Sequence, residues 1–366
     1  MIKFKSLLFA GCVGLVVTIS CPVVAAELPV LDHVLLIMLE NHSYQDIIGN
    51  TDAPYINQLA HRANLATNYY AIGHPSLPNY LEVVGGSNFG IQNDDYPDWH
   101  GATPSDKLNE PLSGDGADAA TPAVMAPQQR EVPSAQYHAE SIADQLVAQG
   151  KDWKTYQQSL PVSGRVDGVD YSDGIYSNLN NAPGVSITKL YAAKHNPFVY
   201  FASVQRNGLN NVVGFDGVHG LFADLTAGAL PAFAYIVPNQ CHDMHGMDNG
   251  GTLCGNPAAL VQMGDATVRQ LVEAIHTSPA WQQGNNAIIV MWDENSVISR
   301  PNQVVVIVDT NHGVHGVVSQ RPYNHFSLLK TLENGFGLTC LNHACDTHVQ
   351  VMTDMFAASP VQHTEK

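Results

Sequence analysis

The sequence predicts an α/β fold, a mostly parallel central sheet with helices on both faces. Two observations lead there. The runs His33–Leu39, Asn286–Trp292 and Val304–Asp309 are apolar or β-branched almost throughout, and each stops in a polar turn. A parallel strand buried on both faces reads this way, without in–out alternation. Segments of helical periodicity alternate with these runs.

The remaining elements follow from the same two periods. Phe198–Val204, after Lys194-His195-Asn196-Pro197, reads as a fourth strand, and Phe233–Val237, running into Pro238-Asn239, as a fifth. Asp265 reads as the cap of a helix whose Val268, Leu271, Val272 and Ile275 share one face. Ser141 to Val147, stopped near Gly150, and Phe326 to Glu333, ending before Gly335, read as two more. Pro78 suits the first turn of a helix carrying Leu81, Val83 and Val84 and ended by Gly85-Gly86. Residues 92–137 are rich in Asp, Pro, Gly, Ala and Ser and read as a long surface insertion. No repeat or linker divides the rest, so residues 27–366 read as a single domain.

Lys3 and Lys5, the apolar stretch Leu7 to Ile19 and the small residues Val24-Ala25-Ala26 read as an export signal over residues 1–26. The stretch falls short of the roughly 20 residues of a membrane span. No stable membrane anchor is expected after its removal, and the expected location is periplasmic or secreted. Cys241, Cys254, Cys340 and Cys345 would remain, and their spacing favours disulfides Cys241–Cys254 and Cys340–Cys345. The formal charge is −17, and −19 once Lys3 and Lys5 are lost with no acid removed. Such a chain lacks the basic footprint of a nucleic-acid binder.

The chemistry is expected where strands end. Glu40-Asn41 follows the first strand and Asp293-Glu294 follows the Asn286–Trp292 strand. In open α/β sheets ligands gather outside the carboxyl ends of the strands. Each cluster alone is more often a turn; together they make an oxygen-rich site for a hard cation. Ser76, in Gly73-His74-Pro75-Ser76-Leu77-Pro78-Asn79-Tyr80, falls at a helix N-terminus that favours an anion. It reads either as a simple cap or as a nucleophile activated by a neighbouring cation. Asn239, Asp243 and His245, within Pro238 to Gly246, can bind metal, hold phosphate oxygens or move protons. His325 opens a helix and is either a partner of phosphate or metal, or a capping residue. His42 and Ser43 read as turn residues, and the histidines in His312–His315 as less constrained.

In this order the motifs ENHSYQDIIG, HPSLPNYLEVVGG, KHNPFVYF, PNQCHDMH, WDEN and YNHFSLLKTLENGFGL resemble those of the phosphoesterase family, over about residues 33–338. That family includes bacterial and fungal acid phosphatases and bacterial phospholipases C, within the alkaline phosphatase superfamily. The resemblance implies an alkaline-phosphatase-like three-layer sandwich. It implies Glu40, Asn41, Asp293 and Glu294 as metal ligands and Ser76 as the serine that accepts phosphate. Asp243 and His245 would serve catalysis, with His245 protonating the leaving alcohol, and Asn93, His195, Asn239 and His325 would contact substrate. The cofactor implied is a divalent metal ion, Ca, Mg, Mn or Zn, and the partner a small phosphorylated substrate. Acid phosphatase action on monoesters is the leading expectation. The phospholipase C branch is the runner-up; its members are longer and tend to carry arginine where this chain has His42. A catalytically silent surface binding module is the alternative of another class.

Overall fold

The computed structural model describes residues 28–91, 94, 139–160, 190–246, 251–296 and 301–356. The expected signal, Asn93 and all of the expected insertion except Asp94 lie outside the described residues.

Ten strands are present among the described residues: β1 (His33–Leu39), β2 (Asn64–Ala66), β3 (Tyr69–Tyr70), β4 (Trp153–Gln157), β5 (Val212–Val213), β6 (Phe233–Val237), β7 (Asn286–Trp292), β8 (Val306–Thr310), β9 (Val318–Ser319) and β10 (Tyr323–Asn324). Eight form one sheet in the order β5-β4-β6-β1-β7-β8-β2-β9, and β10 pairs with β3 apart from it. Strands β1, β6 and β7 have the bounds that their apolar runs predict. The five strands β5, β4, β6, β1 and β7 are mutually parallel.

Two expectations about strands are corrected. Strand β8 runs antiparallel to both β7 and β2, outside the parallel set. An apolar run reads alike in either direction. Direction is set by the connection, and the described part of 293–305 holds no helix to carry the chain back across the sheet. The run Phe198–Val204 is not a strand: Pro197–Tyr200 is a 3-10 helix and Val204–Gly208 a π-helical turn. Its aromatic content reflects burial instead of pairing, since Phe198 stacks on Trp153 at 4.7 Å and meets Tyr235 edge-on at 5.5 Å. That place in the sheet belongs to β4, whose polar Lys154 is paired with Asp224.

The α-helices among the described residues are α1 (Tyr44–Ile47), α2 (Pro54–Arg62), α3 (Ser76–Gly85), α4 (Ile142–Ala148), α5 (Leu221–Ala227), α6 (Gly251–Cys254), α7 (Pro257–Thr277), α8 (His325–Phe336) and α9 (Thr353–Phe356). Helix α7 packs with α2 and α5, and α3 with α4 and α8, giving a helical layer on each side of the sheet. Asp265 is a cap, but of a neighbouring helix. Helix α7 starts earlier, with Asn256 Oδ1 accepting the Ala259 N–H at 3.0 Å. Mid-helix, the Asp265 carboxylate accepts the N–H groups of Tyr55 and Ile56 at 3.2 and 2.8 Å. These are two of the first-turn donors of α2 that the N-cap Ala53 has no side chain to satisfy. Helix α3 ends at Gly86, φ +71°, where a Cβ would stand 2.5 Å from the Leu341 carbonyl oxygen. Both disulfides form as paired by spacing, with Cα–Cα distances of 5.0 Å for Cys241–Cys254 and 5.1 Å for Cys340–Cys345.

Candidate active site

The carboxyl ends of β1, β6 and β7 meet at one edge, and backbone hydrogen bonds join the turns that follow them. Leu39 lies opposite Trp292 in the parallel register, so Glu40 and Asp293 emerge at the same level. The Asp293 N–H donates to the Leu39 carbonyl at 3.0 Å and the Glu40 N–H to the Asp243 carbonyl at 2.8 Å. Asn41 takes φ +52°, a left-handed conformation that asparagine tolerates, and its N–H meets Asp293 Oδ1 at 3.1 Å.

Helix α3 brings Ser76 to this edge as its first residue, with 1% of its surface exposed. Its Oγ lies 3.1 Å from Glu40 Oε2 and 3.2 Å from Glu294 Oε1. One hydroxyl proton faces two carboxylates. Glu294 Oε2 in turn meets His74 Nδ1 at 2.9 Å and Asn79 Nδ2 at 3.1 Å.

The other predicted residues stand around this centre. The His195 ring nitrogens lie 3.1 Å from Glu40 Oε1 and 3.2 Å from Asp243 Oδ2, and the ring stacks on Tyr80 at 5.2 Å. His325 Nε2 is 2.7 Å from the Asp293 carbonyl, which can only accept, so Nε2 carries the proton and Nδ1 accepts from the Tyr69 hydroxyl at 3.0 Å. Burial brings His325 down to about 4, in keeping with that neutral tautomer. It sits behind Asp293. Asn239 Oδ1 accepts the N–H groups of Cys241 and His242, both at 3.2 Å, and shapes the loop after β6. In that loop Asp243 Oδ1 accepts the His245 N–H at 2.8 Å, and His245 Nδ1 donates to the Gly246 carbonyl at 2.8 Å. A cleft of about 1050 Å³ opens beside the group, lined among others by Asn41, His74, Met244, His245 and Glu294.

Charge is the dominant feature of this edge. Glu40, Asp243 and Asp293 are wholly buried and Glu294 nearly so. Burial holds all four carboxyls above their usual range, reinforced by Asp293 at Glu40, by Glu294 at Asp293 and by Glu40 at Asp243. Asn41 Oδ1 and Asp293 Oδ2 are buried without hydrogen-bond partners. Orphaned oxygens beside converging carboxyls fit a hard divalent cation. Glu40, His195 and His245 also present ligand atoms within 4.8 Å of one another. The oxygen set is the better fit, because each His195 nitrogen already faces a carboxylate.

Four participants are absent from the sequence-based set: His74, Asn79, Asp94 and Lys194. His74 and Asn79 lie within the Gly73 to Tyr80 motif, and Lys194 opens KHNPFVYF. Their proximity to Ser76 and His195 in the chain was the available signal.

A profile of the phosphoesterase family matches residues 49–339. The chain belongs to the phosphoesterase family. It is therefore a hydrolase acting on phosphoric ester bonds. Among curated relatives, the phosphoesterase is 25% identical over 350 residues to "Phosphatidylinositol-3-phosphatase" of Mycobacterium tuberculosis, covering 95% of this chain and 90% of that one. It is 24% identical to an acid phosphatase of Aspergillus fumigatus and 25% identical to a phosphate-repressible acid phosphatase of Penicillium chrysogenum. It spans only 55% and 60% of these fungal proteins, while 83% and 85% of this chain is matched. A solved alkaline phosphatase superfamily protein from Vibrio parahaemolyticus shares the fold, with a TM-score of 0.50 at 15% identity over 85% of this chain and 68% of that one.

Proposed function

We propose that this phosphoesterase is a periplasmic or secreted acid phosphatase that hydrolyses phosphate monoesters through a phosphoserine at Ser76. The observation that carries the reading is the Ser76 hydroxyl at a helix N-terminus, 3.1 and 3.2 Å from two buried carboxylates. Glu40, Asn41, Asp293 and Glu294 would hold a divalent cation, Ca, Mg, Mn or Zn. When bound, that cation offsets the buried negative charge and polarises a phosphoryl oxygen.

The protein's own groups supply the rest. Ser76 Oγ gives its proton toward Glu40 or Glu294 and attacks phosphorus in line, forming the Oγ–P bond as the ester P–O bond breaks. His245, at the cleft wall and with Nε2 3.4 Å from Lys194 Nζ, takes up a second proton as the phosphate dianion binds and delivers it from Nε2 to the departing alcohol. Water then attacks the phosphoserine and releases phosphate, with the proton returning to Ser76. His325, His195 and Asn239 hold the reacting groups in place from behind. The two disulfides and the expected export signal support the location, and the relatives named phosphatases favour monoesters over the phospholipase C alternative.

The test compares p-nitrophenyl phosphate, its bis ester and phosphatidylcholine, each with and without chelator. Monoester turnover that chelator removes and Ser76→Ala abolishes, with no loss of melting temperature, is the expected result. Phosphatidylcholine cleavage above monoester turnover would establish the phospholipase C reading. Inactivity on all three with every metal would leave a silent binding module.

A further inference from the structure

Asp94 makes a contact for which the chemistry above has no use. Its Oδ1 accepts the Leu77 backbone N–H at 3.0 Å, and its Oδ2 receives the Lys194 ammonium at 2.7 Å. Leu77 directly follows Ser76 in the first turn of the ten-residue helix α3, so its N–H is one that the helix itself leaves unpaired. The Lys194 side chain is 15% exposed and also approaches His245. Burial works against its charge, but Asp94 and Glu40 outweigh this and keep it cationic. A first-turn amide and a mostly buried ammonium thus grip an anion one residue from the hydroxyl that attacks phosphorus. These are the donors that phosphoryl oxygens require.

A second observation points to a ligand beside Ser76, with which His74 shares the Glu294 carboxylate. The side chain of His74, two residues before Ser76, is 6% exposed and lines the cleft. Its Nε2 is buried with no hydrogen-bond partner. A buried polar atom of this kind calls for a partner, either a water or a bound group.

We propose that the Leu77 amide and the Lys194 ammonium are the seat for phosphoryl oxygens of the substrate, and that the Asp94 carboxylate fills this seat in the free enzyme. The proposal rests on Ser76 as the phosphoryl acceptor. A phosphate dianion cannot share the seat with a carboxylate, because the two charges repel at contact distance. Substrate therefore displaces Asp94, and Lys194 exchanges one anionic partner for another without being left unpaired in a buried place. The return of Asp94 then competes with the product phosphate and speeds its departure. The seat takes tetrahedral oxyanions: a phosphate monoester, inorganic phosphate or vanadate.

The deciding experiment is calorimetric titration of inorganic phosphate into the full-length protein loaded with divalent cation. Asp94→Asn keeps an oxygen for the Leu77 N–H and removes only the charge. It should bind phosphate about tenfold or more tightly, and lower KM for p-nitrophenyl phosphate with a smaller change in kcat. Lys194→Met should bind phosphate at least about tenfold more weakly; should it fail to fold, Lys194→Gln replaces it. Phosphate affinity of Asp94→Asn equal to or below that of the wild type would overturn the occupant role. Unchanged affinity in the lysine variant would overturn the seat. Repeating the titration in Ser76→Ala separates the two readings, because phosphate binding requires no turnover. An inactive wild type that shows these shifts refutes the phosphoserine mechanism and keeps the seat.

Discussion

Without metal, the carboxylate cluster should make the protein less stable as pH rises. Glu40 Oε2 and Glu294 Oε1 both lie within 3.2 Å of Ser76 Oγ, which bounds their separation. Two unit charges roughly 6 Å apart repel by about 3 kcal/mol at an effective dielectric of 20. Glu40, Asp293 and Glu294 are all held above the ordinary carboxyl range in the folded protein. Stability from such groups is fully present below the unfolded pKa, about 4.3 for glutamate, and is lost as pH rises through the folded values. At about 2 cal/mol/K of unfolding entropy per residue, 3 kcal/mol in a chain of this length is about 4 °C in Tm. The assay is thermal melting in chelator at pH 4.5 and 7.5, wild type beside Glu294→Gln, which keeps an acceptor for Asn79 and His74. The variant should melt about 4 °C above wild type at pH 7.5 and level with it at pH 4.5. Saturating Ca, Mg, Mn or Zn should raise the wild type and leave the variant behind. A glutamine variant no more stable than wild type at pH 7.5 in chelator would refute the argument from repulsion.

Asp265→Ala removes both acceptors at the start of α2 and should lower unfolding stability by about 1–3 kcal/mol, read as a lower urea midpoint at unchanged slope; an unchanged midpoint would show that the cap is dispensable. Glu333 is fully buried, accepts the Leu341 N–H at 2.7 Å and is pushed by burial to about 8. Its raised pKa gives stability that is present below about 4.5 and lost as pH rises toward 8. Glu333→Gln should therefore raise Tm at pH 8.5 and leave it unchanged at pH 4.5, and an equal effect at both would contradict this.

The sequence exposed those parts of the fold in which local pattern and tertiary environment agree. Strands β1, β6 and β7 are buried on both faces, so hydrophobic runs alone mark their bounds. Direction in β8 was not legible because it depends on the connection. The aromatic run at Phe198 deceived because rings bury in a packed turn as readily as in a strand. The polar residues of β4 concealed it, since the partner of Lys154, Asp224, stands far along the chain. Asp265 carried a capping signal whose target, α2, is visible only in three dimensions. At the site, Glu40, Ser76, Asp293 and Glu294 converge as their placement at element ends suggests. Lys194 and Asp94 could not be paired from sequence, because a charge pair at long separation leaves no local trace.

The register of β1 on β7 has a further consequence. Val34 to Leu39 and Ala287 to Trp292 are apolar and buried throughout, so sliding one strand by a residue would still match oil with oil. The penalty for sliding falls at the ends. At one, Asn286 Nδ2 is fastened to the carbonyls of Ala280 and Gln283 at 2.9 and 2.7 Å. At the other, a slip would drag Glu40 between hydrophobic neighbours or strand Leu39 in the turn. The buried acids at the strand ends are thus also the ruler against which a featureless core is aligned. A chain that lost them for the sake of stability would give up its means of telling one alignment from the next.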